Sequence, residues 1–176
     1  MSHDPVPFSI RRLTHADAGT YRPLRLQALR LHPEAFSADF AGEAQMSAEA
    51  IAARMPSPPG GLFGGFVCDE TGEMLAGMIG LVVQSGVKLR HKGQVVGMYV
   101  APPHRRGGLA AALLQHAIDQ ARAARLHMLR LGVTAGNEPA RRLYARFGFR
   151  PYGVEPDALC VQGRFYDEEL MALRLT

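Results

Sequence analysis

The sequence predicts a mixed α/β (α+β) fold: a mostly antiparallel central sheet of about seven strands, with helices on both faces. Three observations lead there. Hydrophobic period switches repeatedly between two residues and three to four. The segments run β-α-α-β-β-β-α-β-α-β-β, with no repeating βα unit. Proline and glycine separate the segments, and the sequence contains no internal repeat or low-complexity stretch. All 176 residues are read as a single domain, 1–176, long enough to bury a substantial core.

Taken in order, "FSIRRL" (8–13) alternates and opens the sheet. "THADAGTYRPLRLQALRLHP" follows as a helix. Thr14 or Asp17 can cap it, Leu24, Leu26, Ala28, Leu29 and Leu31 form its buried side, and Pro33 ends it. "SAEAIAARM" (47–55) is a second short helix with Ser47 as N-cap, and "PSPPGG" (56–61) is a loop. "LFGGFVCD" and "MLAGMIGLVVQS" are strands joined through "ETGE", and "GQVVGMYV" (93–100) is the next strand. Pro102 and Pro103 stop it, since proline cannot donate to a ladder.

Residues 108–124 are a helix whose Leu109, Leu113, Ala117 and Ala121 recur every fourth position, with Leu114 and Ile118 alongside. "MLRLGVT" (128–134) is a strand. Residues 137–148 are a helix capped by Asn137, with Pro139 in its first turn and Gly148 as its stop. "FRPYGV" and "FYDEELMALRLT" close the sheet.

Composition is that of a globular chain: 47% apolar and 20% charged. No run approaches the roughly 18–20 apolar residues of a membrane span. "MSHDPVPFSI" has no apolar signal core, so the expected location is cytoplasmic. Cys68 and Cys160 are expected as reduced thiols. With no HExxH and no Cys/His cluster, no metal centre is expected. The formal charge of +4 is almost all arginine, since lysine occurs only at 88 and 92. Such an excess suits an anionic ligand, and with no basic run or aromatic-rich motif it does not point to nucleic acid.

The most informative stretch is "RRGGLAAALL" (105–114). Two glycines at a helix mouth cost backbone entropy. A strand ending at Val100, a short loop and a helix from Leu109 would leave free amides at the positive end of a helix dipole, which is an anion site. Glycine lets phosphate oxygens approach, and arginine adds charge at the rim. The loop lacks GxxxxGK[ST], and no GxGxxG follows the first strand, so neither a P-loop nor a dinucleotide fold is indicated.

"MYVAPPHRRGGLAAALL" resembles the strand–loop–helix of the GNAT superfamily of N-acyltransferases, whose pattern there is [Arg/Gln]-x-x-Gly-x-[Gly/Ala]. Arg105, Gly108 and Ala110 occupy the fixed positions. "VTAGNEPARRLYARFGF" resembles the family's Asn-x-x-Ala-x-x-Leu-Tyr-x-x-x-Gly-Phe, through Asn137, Ala140, Leu143, Tyr144, Gly148 and Phe149. The likeness is good over 90–155 and loose over the first 60 residues.

The resemblance implies acetyl-CoA, or another short acyl-CoA, as co-substrate and an amine as acceptor: a small molecule, or a protein N-terminus or lysine. Backbone amides of Arg106, Gly107, Gly108, Leu109 and Ala110 would hold the pyrophosphate, with Arg105 opening the motif. Met98, Tyr99 and Val100 would line the pantetheine arm like an added strand, and an amide there would polarise the thioester carbonyl. Asn137 would touch the arm from the other side, and Tyr144 would protonate the departing thiolate. The amine would attack directly in a ternary complex. The residues also allow plainer readings: Asn137 as a helix cap, and Tyr144 as core beside Ala140, Leu143 and Phe147. A homodimer is left open.

Two departures from the family stand out. Position 106 is Arg where glycine is usual. "GQVVGMYV" carries no Asp or Glu, although many members place their general base on this strand, and that lack favours the alternative of a CoA-binding sensor without turnover. His104, His91, Glu34 and Glu43 are the other candidate bases. Glu34, Asp39, Glu43, Asp157 and Glu168 could face a cationic acceptor or be solvated loop charges.

Overall fold

The computed structural model describes residues 7–69 and 72–175. Glu70 and Thr71 of the "ETGE" link, and residues 1–6, which the reading of the N-terminal stretch largely uses, lie outside the described residues. Seven strands form one sheet: β1 (Phe8–Arg12), β2 (Gly61–Asp69), β3 (Gly72–Val83), β4 (Lys92–Val100), β5 (Met128–Thr134), β6 (Arg150–Val161) and β7 (Arg164–Arg174). Their order is β1-β2-β3-β4-β5-β7-β6. Among the described residues, only β4 and β5 run parallel. The intervening helix α4 (Leu109–Ala123) makes the crossover that a parallel pair requires.

All six apolar positions expected to face inward from α4 are buried, four of them (Leu113, Leu114, Ala117 and Ala121) at 0% exposure. The glycines of β2 and β3 let this helix sit close. A Cβ at Gly65 would meet Leu109 Cδ1 at 2.5 Å, and one at Gly77 would meet Leu113 Cδ1 at 2.9 Å. Truncating Leu113 to alanine would cost about 2–5 kcal/mol. Helix α5 (Glu138–Arg146) joins the same core through Ala140, Leu143 and Tyr144, with Phe147 just after it. On the opposite face, α1 (Ala18–Leu31) packs Leu24 and Ala28 with Leu13, Phe66, Met78 and Tyr99.

Of the two caps offered for the first helix, Asp17 stands at the start of α1, while Thr14 begins the 3₁₀ turn His15–Asp17 before it, and Asp17 accepts from the Thr14 amide at 2.8 Å. Three expectations need correction. Leu31, the last residue of α1, stays 49% exposed. A five-residue helix α2 (Phe40–Ala44), capped by Asp39, precedes α3 (Ala48–Ala53) in a stretch read as loop. β6 does not stop at Val154. It runs to Val161 through a register shift at Glu155/Leu159, where Asp157 has φ +52° and its amide donates to Asp167 Oδ1 at 2.9 Å.

Two features of β4 define the site. Its ladder with β5 holds for only three pairs, Lys92–Met128, Gly93–Leu129 and Gln94–Arg130. From Val95 onward β4 pairs with β3 alone, so its other edge faces a widening gap. Within that stretch the register with β3 shifts, and Gly97 sits at φ +61°, in the left-handed region where glycine costs least. A bulge inserts one residue and bends the strand. Its effect shows in parity: Val95 and Val100, five residues apart, both enter the α4-side core, while Tyr99 enters the α1-side core.

Candidate active site

The loop after β4 turns through a 3₁₀ segment, Pro102–His104, into α4. The amides of residues 106–111 donate to no acceptor among the described residues, and the first bond into the helix is Ala112 N to Gly108 O at 3.0 Å. Arg106 and Gly108 both have left-handed backbone, at φ +67° and +85°. Successive free amides with left-handed residues among them form a concave anion-binding nest, here joined to a helix N-terminus. The nest is open, for a Cβ built on Gly107 or Gly108 would meet nothing within 4 Å. The unusual Arg106 thus occupies the conformation that a glycine would adopt without cost.

Arg105 has another task. Its Nε donates to the Val100 carbonyl at 2.9 Å, its Nη2 lies 3.1 Å from His32 Nε2, and its guanidinium stands 5.6 Å from the Tyr99 ring centroid. The side chain ties the loop to the end of β4 and to the residue after α1. Tyr99 is 5% exposed and donates to Gln27 Oε1 at 3.2 Å, so its side chain belongs to the α1 core and only its backbone lies along the gap. Met98 packs partly buried against the α4-side core.

On the far side of the gap, Asn137 caps α5, accepting from the Ala140 amide at 3.3 Å, while its own amide donates to Thr134 O at 3.0 Å. Tyr144 is buried, edge-on to Phe149 with ring centroids 5.9 Å apart. Its hydroxyl makes no hydrogen bond among the described residues, and burial pushes its pKa up to about 12. It therefore keeps its proton throughout the physiological range.

The gap opens on the α1 side into a cleft of about 550 Å³, lined in part by Tyr21, Arg25, Arg54, Val96, Gly97 and Glu168. The acids that the sequence left equivalent now separate. Asp39 is spent on the α2 cap, accepting from Gly42 N at 2.7 Å. Glu43 forms a two-point pair with Arg25, both contacts at 3.0 Å. Glu34 lies 3.5 Å from His32 Nδ1, and its carbonyl accepts from Thr134 Oγ1 at 2.6 Å. Asp157 is exposed at the β6 bulge. His104 lies in the 3₁₀ turn, and His91 precedes β4 at its opposite end, facing His127.

Glu168, on β7 opposite Thr134, is the exception. It lines the cleft, half-buried, without a hydrogen bond or ion pair among the described residues. Burial and then the nearby Glu155 charge raise its pKa above the usual carboxylate value. Its carboxylate lies over Gly132, where a Cβ would meet Glu168 Oε2 and turn the side chain aside. A glycine inside the apolar strand "MLRLGVT" was the available signal of that close approach. The gap itself and the Gly97 bulge had no signal that periodicity could supply.

Strand, splayed edge, amide nest and following helix together define a class. The acetyltransferase (GNAT) family model matches residues 27–149, more than half of the chain, and the chain belongs to this family. It is similar to the L-methionine sulfoximine/L-methionine sulfone acetyltransferase of Pseudomonas aeruginosa, 36% identical over 78 residues, covering 44% of this chain and 45% of that protein. Among solved structures, a GNAT-family acetyltransferase from Streptococcus pneumoniae superposes with TM-score 0.82 at 24% identity, covering 96% of this chain and all (100%) of that one. YncA of Salmonella typhimurium, solved with its cofactor acetyl-CoA, gives TM-score 0.76 at 24% identity over 97% of this chain and 95% of its own. These two likenesses concern the fold. The chain spans about half the length of the curated relatives it matches. Among the described residues, no helix is long and apolar enough to cross a membrane.

Proposed function

We propose that the protein transfers an acetyl group from acetyl-CoA to a primary amine, by direct attack within a ternary complex and as one single-domain enzyme in the cytoplasm. The observation that carries this reading is the run of unpaired amides at 106–111, lying where β4 ends and its edge is free. The nest suits a pyrophosphate, with Gly107 and Gly108 leaving room for its oxygens and Arg105 holding the loop in place. The edge of β4 around Met98, Tyr99 and Val100 offers main-chain partners to the amide groups of a pantetheine arm. Asn137 faces that arm through its side-chain amide while its oxygen keeps the α5 cap.

Acetyl-CoA supplies the activated thioester. The chain's own residues orient it, polarise its carbonyl through a β4 amide, and provide a proton from Tyr144 for the departing sulfur. Arg54, in the cleft with a 3.1 Å contact to Met46 Sδ and no ion pair among the described residues, suits an acceptor that also carries an anionic group, as amino-acid analogues do. The names of relatives therefore supply the first panel: L-methionine sulfone, L-methionine sulfoximine and phosphinothricin.

The test has two parts. Acetyl-CoA at about 100 times its Kd should stabilise the fold by about 2.7 kcal/mol, seen as a rise in Tm. CoA release is then followed with each amine. A flat Tm across a wide acetyl-CoA range would refute the cofactor assignment. Binding without release on any amine would favour the sensor reading, for which the lack of an acid on β4 is the supporting observation.

A further inference from the structure

We infer that Glu168 takes the proton from the acceptor's ammonium and is the general base of the reaction. The inference rests on the acetyltransferase reading and supplies the group that β4 lacks. At neutral pH an alkyl amine arrives as an ammonium, which cannot attack. One N–H proton passes to a Glu168 carboxylate oxygen, and the freed lone pair forms a C–N bond to the thioester carbon. The C–S bond breaks, the sulfur takes the Tyr144 proton, and the nitrogen gives up its second proton to solvent as the amide forms. The Glu168 and Tyr144 protonation states are then restored through water. No oxidant, reductant or metal is needed.

Position supports the assignment. Glu168 projects from the β5–β7 side of the cleft, and Val95, Val96 and Gly97 of the unpaired β4 edge form the other wall. Carboxylate and strand edge thus border one cavity. A half-buried carboxylate without a partner is an expense to the fold, and such groups in clefts are candidates for chemistry. The groups around it leave it free. Glu155 stands directly across on β6 and adds like charge. Arg25 of α1 and Glu43 of α2 satisfy one another. Tyr21 of α1 has its pKa raised by burial and remains neutral, Arg54 after α3 lines the cleft, and Arg130 of β5, whose buried Nε has no partner, makes no ion pair with Glu168 among the described residues.

Glu168→Gln keeps the shape over Gly132 and removes the basicity. With acetyl-CoA and L-methionine sulfone, kcat/KM of the unaltered enzyme should rise with pH as Glu168 ionises, on a limb above the usual carboxylate range. In Glu168→Gln that limb should vanish and kcat/KM at neutral pH should fall about 10²–10⁴-fold. The Tm rise given by acetyl-CoA should be retained, which shows an intact fold and cofactor site. Glu168→Asp should recover the limb at a reduced rate. Equal rates and equal pH profiles in unaltered and Glu168→Gln enzyme overturn the Glu168 assignment and leave the acetyltransferase reading standing. No CoA release from the unaltered protein with any panel amine, while acetyl-CoA still raises Tm, overturns both, because a base without a reaction has no role.

Discussion

Arg105 donates from Nε to the main-chain carbonyl of Val100 across 2.9 Å, so the side chain that opens the glycine loop also closes the end of β4. The same guanidinium reaches His32 after α1, and the anion nest is thereby fixed to both the strand and the end of α1. Lysine has the charge but not the planar fork. Arg105→Lys should lower stability by about 1 kcal/mol and weaken acetyl-CoA binding several-fold. Calorimetric titration beside a melting curve checks this, and unchanged affinity would show that the loop holds its shape without the bridge.

The two loop glycines should respond differently. Gly107 has no positive φ and open space around it, so Gly107→Asp should change stability by less than about 0.5 kcal/mol. Its carboxylate would nevertheless face the nest and raise the Kd for acetyl-CoA at least tenfold. Gly108 has φ +85°, so Gly108→Asp adds about 1–2 kcal/mol of left-handed strain to the same repulsion. Melting curves distinguish the two, and a fully stable Gly108→Asp protein would contradict the observed backbone.

Tyr144→Phe keeps the ring against Phe149 and deletes a hydroxyl that has no protein partner among the described residues. Stability should change by less than about 1 kcal/mol. Acetyl-CoA affinity should stay within a few-fold, and turnover should fall about 10²–10⁴-fold if the phenol is the proton donor. Rate, Tm and affinity must be measured on one preparation. Full activity in the folded variant would leave positioning and the β4 backbone as the sources of catalysis.

Acid should weaken the entry to α1. The Arg11 guanidinium, bonded to Asp17 at 2.8 and 3.0 Å, together with the Thr14 amide and hydroxyl, lowers the Asp17 pKa to about 2. Because the folded pKa lies below the unfolded one, the stabilisation is complete above the ordinary Asp pKa, about 3.9. It is lost as pH falls from there through about 2. Asp17→Asn should be less stable at pH 7 and should flatten the stability curve in that window. Urea midpoints at pH 7, 4 and 2.5 test this, and parallel curves for the two proteins would contradict it.

Local chemistry carried much of the fold into the sequence. The α4 face is legible because one period decides six positions, and the α5 start because Asn and Pro have narrow roles there. The five residues of α2 are too few to show a period, and Gly42 within them argues against a helix. Pro156 and Asp157 look like a turn, yet β6 passes through them because a carboxylate on β7 holds the bulge. The site divides in the same way. The amide nest was written in consecutive residues, whereas the splay, the Gly97 bulge and the singling out of Glu168 depend on strands that meet only in three dimensions. The expectation that Arg105 adds rim charge missed its bond to Val100 for the same reason.

Because the Glu168 carboxylate lies over the bare backbone of Gly132, a side chain at 132 would turn that carboxylate out of its present place. A descendant that acquires a methyl at 132 keeps the acid at 168 but aims it elsewhere. One that has already lost the acid leaves 132 free to drift. Lineages with a side chain at 132 should therefore have taken up a proton acceptor elsewhere or abandoned the reaction.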